Sequence, residues 1–157
     1  MSYRIGSGTD FHSLIAGRAL WIGGVKIHNH KGAMGHSDAD VLLHAICDAL
    51  LGALNLRDIG FHFPNTDKRY KGIDSKKLLA NVMELVISKG FEIGNIDCTV
   101  VAESPKINPH IEAMQNCLAP ILKIPAEDIS IKATTNEQLG FIGRGEGIVA
   151  HAICIVH

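Results

Sequence analysis

Residues 148–156, the last extended stretch of the chain, are apolar on both alternating faces, and this limits what the chain can fold into. Successive side chains of a strand point to opposite sides of its sheet. A strand apolar on both sides needs cover above and below, as in a sheet interior. That cover is in short supply. Helical periodicity appears three times, over 37–54, 75–89 and 105–122, while other strands are read at 3–11, 20–22, 25–27, 96–102 and 129–134. The order β-β-β-α-α-β-α-β-β makes residues 1–157 one α/β (α+β) domain with a mixed sheet and helices packed on one face. The other face is left to pack against further copies of the chain.

Local signals place the elements. Gly23-Gly24 splits a hairpin, and the first strand is expected to loosen at Gly6 and Gly8. Ser37 reads as the N-cap of the first helix, with Asp38 and Asp40 in its first turn. Ser75 caps the second helix, Gly90 stops it, and Pro105 opens the third. Residues 28–35 read as a loop. Residues 58–72, with Gly60, Pro64 and Gly72, have the length of a functional loop.

Composition removes several classes of function. A chain of 157 residues buries roughly 70% of the surface it exposes when unfolded, and 46% hydrophobic with 20% charged residues is a folded, not a disordered, balance. A net charge of -1 gives no general attraction for nucleic acid or an anionic membrane. An anionic substrate must therefore be met locally, by a metal, by helix N-termini or by a few placed cations. No apolar run approaches the roughly 20 residues of a membrane span, and Arg4, Gly6 and Asp10 break up any leader-like start. Cys47, Cys98, Cys117 and Cys154 form no C-x-x-C pair and read as reduced, small hydrophobes, which fits a cytoplasmic protein.

Nine histidines are many for this length, and three constellations hold candidate chemistry. In Asp10-x-His12 a carboxylate and an imidazole two apart on extended backbone point the same way, a set that suits Zn²⁺ or a similar divalent ion. His36, Asp40, His44 and Asp48 recur at spacing four, the spacing of one helix face. They read either as a solvated face or as a functional stripe. In the functional reading His44 joins Asp10 and His12, three protein ligands leave a fourth position open as in catalytic zinc, and Asp40 or Asp48 orients an imidazole. The third constellation is 132–137 (K-A-T-T-N-E) followed by 140–147 (G-F-I-G-R-G-E-G). Its threonines and amides can cradle phosphate, its carboxylate can hold a bridging Mg²⁺, and Arg144 can fork a phosphate. Alone, the glycine-rich part reads equally well as tight turns. No Walker or dinucleotide glycine pattern is present, and no serine sits in a nucleophile elbow.

Taken together, 4–12 (R-I-G-S-G-T-D-F-H), 36–44 (H-S-D-A-D-V-L-L-H), 58–60 (D-I-G), Phe63-Pro64 with Thr66-Asp67, and 132–147 closely resemble the 2-C-methyl-D-erythritol 2,4-cyclodiphosphate synthases from about Arg4 to Val156. The resemblance implies a homotrimer with active sites between subunits. It implies one Zn²⁺ per subunit on Asp10, His12 and His44, and Mg²⁺ or Mn²⁺ on the diphosphate, held by Glu137. His36 and Thr135 would steady the transition state. Asp58 would hold the erythritol hydroxyls, with Ser37, Ile59, Gly60, Phe63, Pro64, Asn65, Thr66 and Asp67 around the same group. Ala102, Pro105, Lys106, Ile107 and Asn108 would form the cytidine pocket of a neighbouring subunit, with Thr134, Asn136, Phe141 and Arg144 completing the substrate contacts. Asn65, Glu103-Ser104 and His151 depart from what is usual in the family. Two other readings use the same residues: a zinc hydrolase of phosphate esters, and a non-catalytic trimeric metal- or anion-binding module.

Overall fold

The computed structural model describes residues 3–157. Its twelve regular elements are β1 (Arg4–Ala16), β2 (Leu20–Ile22), β3 (Val25–Ile27), β4 (Lys31–Ala33), α1 (Val41–Ala53), α2 (Ile59–His62), α3 (Ser75–Ser88), β5 (Ile93–Val101), α4 (Ile111–Leu122), β6 (Ile129–Thr134), α5 (Gly140–Gly143) and β7 (Gly147–Val156). Five strands form one sheet in the order β4-β1-β7-β5-β6, and β2-β3 form a separate hairpin. β7 runs antiparallel to both β1 and β5, while β5 and β6 are parallel across the α4 connection. The sheet is therefore mixed, and the architecture is α+β.

Two of the five helices are single turns within segments read as loops. The short β4 forms inside the loop expected at 28–35, pairing with the far end of a β1 that is longer than its sequence signal.

α1 is the centre of the fold. Ten of its residues are buried, on every side, because it lies between the sheet and α3. It starts later than expected. Ala39 has φ +58, a left-handed conformation that a helix cannot contain, so the cap is Asp40, whose side chain accepts from Leu43 N. His36, Ser37 and Asp38 thus lie in the preceding turn, and the four-member stripe is reduced to two helical residues, His44 and Asp48. The fully buried Asp40 also accepts from Gly23 N (2.9 Å) and Gly24 N (2.7 Å), which fastens the β2-β3 hairpin to the start of α1. Burial raises its pKa more than any one of these amides lowers it. α3 likewise is capped by Asp74 instead of Ser75. α4 begins at Ile111 after a short turn containing Pro109, so Pro105 stays outside the helix.

Gly6 and Gly8 do not loosen β1; they let α1 come down onto it. A Cβ at Gly6 would sit 1.8 Å from the carbonyl oxygen of Ala49, and one at Gly8 would sit 2.0 Å from that of Ala45. The next inward positions of the same strand are Asp10 and His12, which brings them level with His44, one residue before Ala45 on α1. The opposite sheet face stays open in the single chain. Ile5 is 71% exposed, Phe11 58% and Ile153 51%.

Candidate active site

The small-residue contact between β1 and α1 sets three donor atoms in a tight triangle. Asp10 Oδ2 lies 2.9 Å from His12 Nε2 and 3.0 Å from His44 Nδ1, and the two nitrogens are 3.2 Å apart. Ligands around a tetrahedral zinc at about 2.1 Å would stand about 3.4 Å from one another, so the three donors need only spread by a few tenths of an ångström to take an ion. These three residues form the group able to hold a metal among the described residues.

The outer nitrogens of both imidazoles are engaged. His12 donates from Nδ1 to the carbonyl oxygen of Met34 (2.8 Å), and His44 Nε2 meets Ser75 Oγ (2.9 Å) and Ser37 Oγ (3.2 Å). Neither aspartate of the former stripe does this work. Asp40 is committed to backbone amides, and Asp48 accepts from Ile59 N at 2.7 Å, which ties α2 to α1. Burial raises the Asp48 pKa, with the Ile59 amide opposing it. Burial would also raise that of Asp10, but its hydrogen bonds to His12 and His44 prevail and hold the carboxyl below the usual carboxylate range. His12 is moved the other way: burial lowers its pKa, yet Asp10 and the Met34 carbonyl outweigh this and the net shift is upward.

A cavity of about 300 Å³ opens beside the triangle, lined by His12, His44, Gly35, His36, Ser37, Ile59, Gly60, Phe63 and Asn65. Tyr70, Ile73 and Leu78 complete its wall. The sequence reading missed these three, and only the aromatic Tyr70 inside a long loop gave any sign. His36 reaches across to donate to the carbonyl oxygen of Asp67 (3.3 Å) and accepts through its own carbonyl from Gly72 N (2.7 Å), so it braces the 58–72 loop. Asp58 caps α2 by accepting from Phe61 N, and Asp67 holds Arg69. Asp58, Pro64, Thr66 and Asp67 are absent from the cavity lining.

A second cavity, about 380 Å³, is lined by Ala102, Glu103, Pro105, Lys106, Ile107, Asn108, Pro109, Ala133, Thr134 and Thr135. It contains every residue of the 102–108 stretch read as a base pocket except Ser104, and shares no residue with the first cavity. The unusual Glu103 accepts from Asn136 N (3.3 Å), which joins the lip of this pocket to the following loop. In that loop Thr135 donates to Glu137 (3.3 Å), and Glu137 and Gln138 hold φ of +51 and +61. Arg144 is paired with Glu146 at 2.8 Å, and Phe141 packs toward Phe11, 6.4 Å between ring centres. Within one chain, none of Thr135, Glu137 and Arg144 touches the triangle.

An α+β domain whose Asp10, His12 and His44 could hold a metal beside an open cleft fits the catalytic class of such centres, in which the protein leaves one coordination position to a reactant. The YgbB family model matches residues 3–157. The 2-C-methyl-D-erythritol 2,4-cyclodiphosphate synthase of Porphyromonas gingivalis is 62% identical over 154 residues, 98% of this chain and 95% of that protein. The IspF of Plasmodium falciparum, solved as a CDP complex, superimposes with a TM-score of 0.88 at 35% identity over 99% of this chain and 96% of its own. The bifunctional IspDF of Campylobacter jejuni gives 0.95 at 42% identity over 99% of this chain, which spans 42% of that longer protein. The chain belongs to the YgbB family of 2-C-methyl-D-erythritol 2,4-cyclodiphosphate synthases.

Proposed function

We infer that this member of the family converts 4-diphosphocytidyl-2-C-methyl-D-erythritol 2-phosphate to the 2,4-cyclodiphosphate and CMP, as a phosphorus-oxygen lyase of the non-mevalonate isoprenoid route. An oxygen of the 2-phosphate forms a bond to the β-phosphorus. The bond from that phosphorus to the bridging oxygen breaks, and CMP departs with the oxygen. The nucleophile is already an anion within the same molecule, so no strong base is needed; the barrier is charge crowding and geometry. Asp10, His12 and His44 would hold Zn²⁺ and Glu137 a second ion, Mg²⁺ or Mn²⁺, and such cations supply charge neutralisation at the diphosphate.

The chain's own groups do the rest. The cavity beside the triangle, with His36, Ser37, Ile59, Gly60, Phe63 and Asn65, suits the erythritol phosphate, and Asp58, Pro64, Thr66 and Asp67 shape its loop. The second cavity suits the cytidine, with Ala102 and the 105–108 segment around the base. Thr134, Thr135, Asn136, Phe141 and Arg144 stand between base and diphosphate. One substrate must engage both cavities, which are separate in the single chain. The apolar open face of the sheet supports assembly as a trimer that sets the second cavity of one subunit against the triangle of its neighbour. Four free cysteines favour a reducing, cytoplasmic setting.

The observation that carries this reading is the triangle of Asp10, His12 and His44 opening on a cleft of about 300 Å³. Incubating the purified protein with substrate and divalent ions should yield CMP and the cyclic diphosphate in equal amounts. An opened phosphate would identify a hydrolase, and binding without turnover a non-catalytic module. His44→Ala should lose zinc and about a thousandfold in turnover while keeping its fold. A His44→Ala protein that kept both would end the ligand assignment.

A further inference from the structure

Two polar side chains behind the metal triangle have no part in the mechanism above, yet they decide which nitrogen of His44 faces it. Ser75 is fully buried at the first turn of α3. Its Oγ donates to Asp38 Oδ1 (2.5 Å), its backbone N–H donates to Asp38 Oδ2 (2.9 Å), and His44 Nε2 lies 2.9 Å from the same Oγ. Asp38 Oδ1 also accepts from Asp40 N at 3.2 Å, and Asp38 N donates to the Ile73 carbonyl at 3.1 Å, so the carboxylate is fixed from both sides.

Proton counting gives the direction of the chain. An ionised carboxylate only accepts, so the single hydroxyl proton of Ser75 is spent on Asp38. The oxygen of Ser75 is then free to accept from His44 Nε2–H, which opposes the pull of Asp10 Oδ2, 3.0 Å from Nδ1, on the same proton and so keeps Nδ1 open to an ion. His12 reaches the mirror result by a different route: the Met34 carbonyl takes its Nδ1 proton and its Nε2 is the bare nitrogen. We propose that Asp38 and Ser75 are positioning residues that set the His44 tautomer and so make Nδ1 a metal ligand. This rests on the metal reading of the triangle and extends it.

Asp38→Asn is the decisive substitution, since it conserves shape and removes one acceptor. The amide can accept from only one of the two donors on Ser75. The backbone N–H of Ser75 cannot turn away, whereas its hydroxyl can rotate. With the NH₂ toward Oγ, an orientation that also takes the acceptor from Asp40 N–H but keeps the shorter bond from Ser75 N–H, the hydroxyl reverses to donate to His44 Nε2, and the imidazole proton moves to Nδ1, where it blocks the ion. Ser75→Ala leaves His44 free to use Ser37 Oγ at 3.2 Å. A positioning role thus makes the isosteric Asp38→Asn the more damaging change, while a packing role would make the cavity-forming Ser75→Ala the worse one.

Two measurements test this. In the metal-free protein at alkaline pH, ¹⁵N NMR of the imidazoles should show the share of the His44 proton on Nδ1 rising, and that on Nε2 falling, in Asp38→Asn relative to the unsubstituted protein. Competition with a chromogenic chelator should show zinc binding weakened about 10- to 100-fold in Asp38→Asn, and less in Ser75→Ala, with folds intact by circular dichroism. A His44 tautomer ratio in Asp38→Asn equal to that of the unsubstituted protein, or zinc binding in Asp38→Asn equal to wild type, would overturn the assignment. If the unsubstituted protein bound no zinc while the tautomer ratio shifted as described, the proposed function would fall and the positioning role would stand.

Discussion

The two halves of the site are built to different degrees. The Asp10-His12-His44 triangle sits where a strand and a helix touch backbone to backbone, and every ring nitrogen in it has a partner within 3.2 Å. The loop after β6 is exposed, holds two residues in left-handed backbone, and has its arginine occupied by a neighbouring glutamate. One half is completed by the fold itself. The other presents charges and amides that the single chain does not bring to one point. A metal site tolerates little positional error, because three short bonds must converge on one point, whereas a diphosphate offers many oxygens to a loop that can adjust.

The largest effect should come from breaking the first half at its foundation. Gly8→Val forces a side chain into the carbonyl of Ala45, so α1 must lift from β1, and we expect about 3 kcal/mol of lost stability by chemical denaturation together with loss of zinc. Unchanged zinc content would show that the triangle does not depend on this contact. Glu137→Gln addresses the second half. It should lower turnover by about a hundredfold and weaken the response to Mg²⁺ or Mn²⁺, leaving zinc content and unfolding midpoint untouched.

Acidity gives a smaller, signed effect. The pKa of His12 in the metal-free fold is raised above 6.5, so its bond to Asp10 stabilises that form fully below 6.5 and is lost as pH rises through the folded value. The depressed pKa of Asp10 contributes above 3.8 and is lost only as pH falls through its lower folded value. Thermal unfolding of the metal-free protein should therefore shift down as pH climbs past the His12 titration. The zinc-loaded protein should gain over the same window, since ion and proton compete for Nε2. Parallel curves would remove the competition. Smallest of all, Arg144→Ala should leave the unfolding midpoint of the isolated chain unchanged, because its pair with Glu146 is exposed, and should raise KM if the guanidinium meets phosphate.

Several elements were legible in advance because their signals are local. The Gly23-Gly24 hairpin, the helix before Gly90 and the strand at 129–134 all lie where periodicity and turn residues put them. The candidate metal ligands were legible too, through spacing and family likeness, and so was the 102–108 pocket. The start of α1 was not. Ser37 has the right chemistry for a cap, but Ala39 takes a left-handed turn that no alanine announces, and the cap passes to Asp40. The two glycines of β1 misled in the opposite sense, since a missing Cβ looks like weakness until the helix above it is known.

By itself the sequence determined the class of fold, the residue types available for metal and phosphate, and a sheet apolar on both sides. Tertiary structure alone decided which polar groups stand behind the imidazoles. Ser75 and the Met34 carbonyl are distant in the chain from the rings they serve, Asp38 reaches His44 only through Ser75, and a hydrogen bond depends on position in space to a few tenths of an ångström. Periodicity reports which face a residue shares; it is silent on what another element brings to that face.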